Sequence, residues 1–277
     1  MNDNDILMND DDIDKIDIDI NKIIEAGKAG SYILQRYFGK NLKKEKKSSS
    51  SDFRTIADLE AEKAILKILQ ANFPSVNIHS EESGFLSKES QYTFIVDPLD
   101  GTSNFVSGIR YFSVSIGLFK EDKSIASVVI NPMSNEVFFA ESGKGAFLNG
   151  DRIKVNEVPD LEEANIGYDC DYGSYFDRYY LELAERIKKH KVKRFFIFMS
   201  PALDLCRLAL GQIEAFINNG NEVYDFAAGK LIVKEAGGLV TAFDGSEEKS
   251  ERNNIFLATN GRSLHQKLLK IIGSISC

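Results

Sequence analysis

The 277-residue chain has no tryptophan, three cysteines, three histidines and five prolines. Cys170, Cys206 and Cys277 are odd in number and far apart, and no C-x-x-C is present. That excludes a disulfide framework and a zinc knuckle and leaves reduced thiols. His79, His190 and His265 stand in no Ser–His–Asp context, and there is no G-x-S-x-G elbow, so histidine-based hydrolysis has no footing. Neither a G-x-x-x-x-G-K-[ST] loop nor a G-x-G-x-x-G after a strand is found, which removes the common nucleotide loops. No apolar run reaches the roughly 18–20 residues of a membrane span. The start of the chain is acidic, unlike a basic signal region or an Arg-rich transit peptide. These absences predict a soluble, cytoplasmic protein with no membrane partner. Twenty glycines among 277 residues are too few for collagen-like or low-complexity classes, and the length allows one large domain or two modest ones.

Charge is unevenly placed. The net charge is −8, yet residues 1–20 hold eight aspartates and one lysine, so the rest of the chain is near neutral. A basic nucleic-acid-binding surface is therefore not expected. Asp10-Asp11-Asp12-x-Asp14 has the acidic spacing of a calcium loop but lacks its mid-loop glycine and closing glutamate. Residues 1–16 read as a disordered, solvated acidic tail.

Hydrophobic period divides the remainder. Ile20, Ile23, Ile24, Ile33, Leu34 and Tyr37 form one helical stripe, with Gly39 placed to end it. Residues 40–54 are Lys- and Ser-rich and read as a mobile linker. A second helix spans Thr55 to Phe73 and stops at Pro74. Strands are then expected at 76–78, 92–96, 111–119, 124–131 and 136–140, followed by an Asn149-Gly150 hairpin, which together make an antiparallel meander. Beyond Pro159, strands (165–168, 195–198, 213–217, 255–258) alternate with helices (174–189, 201–210, 225–236, 262–272). The expected class is α/β, with an α+β domain over 17–155 and an α/β domain over 156–277.

Carboxylates carry the chemistry. An apolar strand ends in Asp97-Pro98-Leu99-Asp100-Gly101-Thr102-Ser103-Asn104-Phe105. Two aspartates three apart around a proline can be aimed at one point. Two neighbouring anions need a cation, and oxygen-only ligands suit Mg²⁺ rather than zinc. Gly101 lets backbone approach a ligand, and Thr102-Ser103 opens a helical turn whose N–H groups would bind an anion. A metal beside an anion hole is a phosphate-ester site. Alone, the same residues read as a turn and a cap. Glu81-Glu82 and Val223-Tyr224-Asp225-Phe226-Ala227-Ala228-Gly229 are equally plain when taken singly, a surface pair and a helix cap.

Together, E-E, then D-P-L-D-G-T-S-N-F, then Y-D-F-A-A-G resemble the inositol monophosphatase family of Mg²⁺-dependent, lithium-sensitive phosphatases. The resemblance runs from about residue 20 to the C-terminus. It implies a layered αβαβα sandwich, usually a homodimer, with two or three Mg²⁺ ions and a small phosphate ester as substrate. It implies that Glu81, Asp97, the Leu99 carbonyl, Asp100 and Asp225 hold metal, with Glu82 the second candidate of its pair. Gly101 and Thr102 would offer N–H groups to the phosphate, while Asp58 with the Thr102 hydroxyl would help activate water. Lys47, eleven residues before Asp58, matches the family's loop lysine.

The sequence departs from the family at the substrate end. The element R-x-x-G-[ST]-A-A-L is here Arg194 to Leu203, with Met199 at the glycine and Pro201, which has no N–H, after Ser200. An acidic residue expected after the strand at 213–217 is Asn218, a change worth about 1–2 kcal/mol of polyol binding. Ser200, Asn218 and Lys47 are the remaining candidates for substrate contact. The reading is a phosphomonoesterase for inositol phosphate or a related sugar or polyol phosphate. Alternatives within the resemblance are fructose-1,6-bisphosphatase, NADP phosphatase and 3′-phosphoadenosine phosphatase, or a regulatory partner of RNA polymerase or ribosome assembly.

Overall fold

The computed structural model describes residues 16–47, 53–170 and 178–273. The chain opens with α1 (Ile20–Tyr37), the short strands β1 (Glu45–Lys46) and β2 (Phe53–Arg54), and α2 (Ile56–Asn72). There follow β3 (Asn77–Ser80), β4 (Gly84–Leu86), β5 (Tyr92–Asp100), the one-turn α3 (Thr102–Val106), β6 (Ser113–Lys120), β7 (Lys123–Asn131), β8 (Glu136–Glu141), β9 (Gly145–Leu148) and β10 (Asp151–Ile153). The second half runs β11 (Asn165–Cys170), α4 (Arg178–Lys189), β12 (Arg194–Phe196), α5 (Pro201–Ala209), β13 (Ala215–Asn219), α6 (Val223–Glu235), β14 (Leu239–Thr241), β15 (Ile255–Thr259) and α7 (Arg262–Ile272).

The first sheet has the order β10-β9-β8-β7-β6-β5-β3-β4. From β5 to β10 it is the expected meander, each strand antiparallel to the next. Its last hairpin turns on Asn149 and Gly150, both at positive φ (51° and 96°), the twist that a two-residue connection needs. The strand expected at 76–78 as part of the antiparallel meander departs from it: β3 runs parallel to its neighbour β5, because the chain turns back through β4 before it enters β5. The second sheet has the order β12-β11-β13-β15-β14, with β11 parallel to both β12 and β13 and the β13–β15–β14 side antiparallel.

Three cores make this five layers. Ile23 and Leu34 of α1 and Ile65 and Leu69 of α2 pack on Val114, Ile116 and Val128, covering one face of the first sheet. Leu205 of α5 and Ala228 and Ile232 of α6 lie between Phe138 of the first sheet and Phe216 and Phe256 of the second. Leu183 of α4 and Leu264 and Leu268 of α7 cover Ile166, Ile217 and Leu257 on the far face. The layer order is the αβαβα sandwich. β5 is buried along all nine residues because helices cover both of its faces.

Several elements differ from expectation. The Lys-rich linker is partly ordered, since Glu45 pairs with Arg54 and Lys46 with Phe53 across β1 and β2. Two-residue strands carry no alternation to read. β4 and β14, three residues each, escape for the same reason. The acidic tail lies outside the described residues except for Ile16, which packs with Ile18 and Ile20 against the first core. The expected start of α4 at 174 also lies outside them. Among the described residues no helix is long and apolar enough to cross a membrane.

Candidate active site

The site begins with an irregularity in β5. Asp97 and Asp100 are three residues apart, so a regular strand would point them to opposite faces. Against β6, however, Asp97 pairs with Ser115 and Asp100 with Ser113, three residues opposite two. This bulge inserts one extra residue and returns both carboxylates to the same face. Pro98, which has no N–H for a ladder, fits there. The N-terminus of α6 enters from the middle layer and brings Asp225. Asp97, Asp100 and Asp225 each offer an oxygen within 4.8 Å of the others.

Each carboxylate is held. The Leu99 N–H donates to Asp97 Oδ1 at 2.8 Å. Asp100 Oδ2 accepts from Ser113 Oγ (2.9 Å), Ser200 Oγ (2.6 Å) and the Ala202 N–H (3.2 Å). Asp225 Oδ2 accepts from the Glu222 N–H at 3.0 Å, so it also serves as a cap at the start of α6. Burial, then mutual repulsion, pushes Asp97 and Asp225 well above the carboxylate range. Burial likewise pushes Asp100 up to about 7, against the pull of its hydroxyl donors.

Glu81 sits on the turn between β3 and β4, and its carboxyl too is raised by burial and by Asp97. Lys47 Nζ lies 2.7 Å from Glu81 Oε1 and 2.6 Å from Glu82 Oε1. Burial opposes the Lys47 charge, but the two glutamates outweigh it and raise its pKa. Glu82 turns away from the cavity to Lys47 and Arg54. The whole turn hangs on Glu62 of α2, which sequence reading missed. Glu62 Oε1 accepts from Ser80 Oγ, from the Glu82 and Ser83 N–H groups at 3.2 and 3.0 Å, and from Ser83 Oγ. Its only signal in the sequence is a carboxylate on the apolar side of α2, where it is 7% exposed.

Asp58 is fully buried. Its Oδ2 accepts from the Thr55 N–H and hydroxyl (2.8 and 2.7 Å), closing the cap of α2, while Oδ1 accepts from Thr102 Oγ1 at 3.2 Å. Burial raises its pKa. Thr102 begins α3, whose first N–H groups have no carbonyl partner within the helix. Gly101 precedes it at φ +89°, and a Cβ there would lie 3.1 Å from the Met199 carbonyl oxygen and 3.2 Å from that of Tyr111. Only glycine fits this approach.

These groups surround one cavity of about 380 Å³, lined by Glu81, Asp97, Leu99, Asp100, Gly101, Thr102, Asp225 and Lys47. Asp58 stands behind Thr102. Two candidates for substrate contact do not line it. The Ser200 hydroxyl is turned to Asp100. Asn218 is buried, donating to the Asn254 carbonyl at 2.7 Å and accepting from Asn221 at 2.8 Å. The wall instead includes Asp169, Asn221, Glu222, Tyr224 and Phe53, none of which sequence reading placed there.

The donor set fits a hard divalent cation. It is all oxygen, with Asp97, Asp100 and Asp225 converging within 4.8 Å, while Glu81 lines the same cavity and pairs with Lys47. Asp97, Asp100, Asp225 and Glu81 are the residues that would hold Mg²⁺.

Comparison with known proteins gives the family. Residues 16–276 match the inositol monophosphatase family. The chain belongs to that family. It is 36% identical over 244 residues to a Thermotoga maritima protein named fructose-1,6-bisphosphatase/inositol-1-monophosphatase, covering 88% of this chain and 91% of that one. It is 34% identical over 240 residues to Nus factor SuhB of Vibrio cholerae, covering 83% and 86%. Among solved structures, the extragenic suppressor protein suhB of Bartonella henselae superposes with a TM-score of 0.86 at 34% identity, over 92% of this chain and 98% of that one. Membership in this phosphatase family gives the acidic cluster its context, since the family generally uses Mg²⁺.

Proposed function

We propose that the chain is a Mg²⁺-dependent phosphomonoesterase acting on a small sugar, polyol or related phosphate ester. One observation carries the reading. Among the described residues, six carboxylates (Glu81, Asp97, Asp100, Asp169, Glu222 and Asp225) and a single ammonium, Lys47, line a cavity that also presents the N-terminal turn of α3. Without cations such a cavity repels a phosphate dianion; with them it attracts one. Bound Mg²⁺ would stabilise charge on the phosphoryl oxygens and make a nearby water more acidic.

The protein's own groups do the rest. Gly101 and the first N–H groups of α3 face the phosphate. The Thr102 hydroxyl has one proton and two acceptors in reach, the Leu99 carbonyl at 3.0 Å and Asp58 Oδ1 at 3.2 Å; turned to Asp58, it can accept a hydrogen bond from the attacking water. A proton then passes through Thr102 Oγ1 to Asp58, whose raised pKa makes it the better acceptor. Glu62 keeps Glu81 aimed at the cavity, and Ser113 and Ser200 fix the Asp100 rotamer.

The test is release of inorganic phosphate from a panel including inositol 1-phosphate, fructose 1,6-bisphosphate, glycerol 2-phosphate and phenyl phosphate, with Mg²⁺ and with EDTA. Release only with Mg²⁺, lost in Asp97→Asn, is the expected result. No release from any ester would overturn the reading. The likeness to Nus factor SuhB supports a second reading, a regulatory role in transcription. Rescue of a strain lacking this protein by the inactive Asp97→Asn variant would favour that role.

A further inference from the structure

Met199 combines a strained backbone with a place in the cavity lining. Its φ is +58°, a left-handed conformation that costs a side-chain-bearing residue stability. The surroundings leave it no alternative. The preceding carbonyl, of Phe198, accepts from Asn104 Nδ2 at 2.6 Å. The following residue is tied by the Ser200 hydroxyl to Asp100. The Met199 carbonyl itself sits against Gly101. Glycine would meet this requirement at no cost, yet the chain places a thioether there, and Met199 lines the cavity. Strain held at a cavity wall points to a use for the side chain.

The other residues that line the cavity give the use. Pro201, the first residue of α5, also lines the cavity and has no N–H to offer a hydroxyl. Phe53 and Tyr224 add aromatic surface to the same cavity. Met is polarisable and favours contact with aromatic rings. We infer that Met199 is a specificity-determining residue, selecting phosphate esters whose alcohol presents a flat, apolar face over esters of open polyols. This rests on the phosphatase reading above for its catalytic expression, but the selectivity is a property of binding and can be measured without turnover.

Two variants suit the backbone. Met199→Gly and Met199→Asn both tolerate the left-handed conformation, so both should fold with a melting temperature no lower than wild type. Dissociation constants are measured calorimetrically in Mg²⁺ for phenylphosphonate and methylphosphonate, whose P–C bonds are not hydrolysed. Wild type should prefer phenylphosphonate by about tenfold or more, and both variants should lose most of that preference, within the range one apolar contact supplies. In turnover, kcat/KM for phenyl phosphate relative to glycerol 2-phosphate should fall by a similar factor. Equal binding of both phosphonates by wild type, binding of neither, or a preference retained in both variants would overturn the inference. Preferential phenylphosphonate binding that depends on Met199, with no hydrolysis of any ester, would overturn the phosphatase reading and leave the inference standing.

Discussion

Asp100→Asn should stabilise the metal-free protein, and increasingly so as pH rises. Asp100 is 2% exposed and its carboxyl is pushed from the ordinary 3.8 up to about 7 by burial. In the unfolded chain the same group ionises near its ordinary value. Between those two pH values the folded state holds a proton that the unfolded state has lost, so stability falls as pH rises and levels off above about 7. At 1.36 kcal/mol per unit, the whole window is worth about 4 kcal/mol, and the part between about pH 5.5 and about pH 8 roughly 2 kcal/mol. Asparagine does not titrate, and its oxygen can still accept from Ser113, Ser200 and the Ala202 N–H. Urea unfolding of both proteins in EDTA at several pH values measures the difference, to which the release of Asp97 and Asp225 from the repulsion of Asp100 adds in the same direction. The advantage of the variant should grow by roughly 2 kcal/mol between about pH 5.5 and about pH 8. With Mg²⁺ at about a hundred times its dissociation constant, wild type should gain about 2.7 kcal/mol and the variant less. A difference that does not change with pH in EDTA, or a variant less stable than wild type at high pH, would refute the reasoning.

Three further outcomes follow from the same structure. His265 is buried, pairs through both ring nitrogens with the Thr241 and Thr259 hydroxyls at 2.8 Å, and is pushed by burial down to about 4. The unfolded chain therefore takes up a proton near pH 6.5 that the folded one refuses, so stability falls by about 3 kcal/mol as pH drops from about 6.5 to about 4. His265→Gln should remove that component, as read from urea midpoints on either side of the window. Lys47→Met leaves Glu81 and Glu82 without their shared ammonium and should cost about 1–3 kcal/mol in EDTA. Saturating Mg²⁺ should restore part of the loss, and thermal unfolding with and without the metal checks it. Gly101→Ala forces a Cβ against two carbonyl oxygens at a positive φ and should cost about 2 kcal/mol. It should also weaken inorganic phosphate binding in Mg²⁺ by about tenfold, measured calorimetrically.

What could be read from the chain depended on how local its cause was. The α1 stripe, the meander and the Asn149-Gly150 turn are local patterns, and each appears where its period placed it. The order of layers is not local. One clue lay unused in Pro201-Ala202-Leu203-Asp204-Leu205-Cys206, a helix apolar on nearly every side. It is buried all round because α5 lies between two sheets. The site shows the same division. D-P-L-D-G-T names Asp97 and Asp100, but their convergence comes from the pairing of β5 with β6, which no spacing within β5 reveals. Asp225 looked like a cap and is one, and Asp58, named only through the resemblance, is a cap as well; each spends one oxygen on a helix start and turns the other elsewhere or toward its neighbours. Glu62 was invisible because its partners are backbone N–H groups and serine hydroxyls of a turn about twenty residues away. Asn218 misled for the opposite reason. Its place in the pattern is right, but its amide is spent on Asn254 and Asn221.

The cavity is assembled from two independent sources, and this bears on how activity and selectivity can change. The converging carboxylates belong to the first sheet and to α6, fixed by a β5 bulge and by Glu62, Ser113 and the α6 start. Apart from Tyr224 of α6, the apolar lining comes from β2 (Phe53), from the connection between β12 and α5 (Met199) and from the first residue of α5 (Pro201). The two meet at Gly101, against the Met199 carbonyl, and at Ser200, bonded to Asp100. A side-chain change at Met199 leaves both junctions intact, because the carbonyl and the Ser200 hydroxyl stay where they are. Selectivity can therefore shift with the carboxylate geometry preserved. A change at Ser200 or Gly101 cannot be confined in this way, since it loosens the Asp100 rotamer or displaces the approach to the phosphate. Substitutions at Met199 should therefore move the ratio of kcat/KM values between esters. Ser200→Ala, which removes one of three donors to Asp100, should lower kcat for all of them alike.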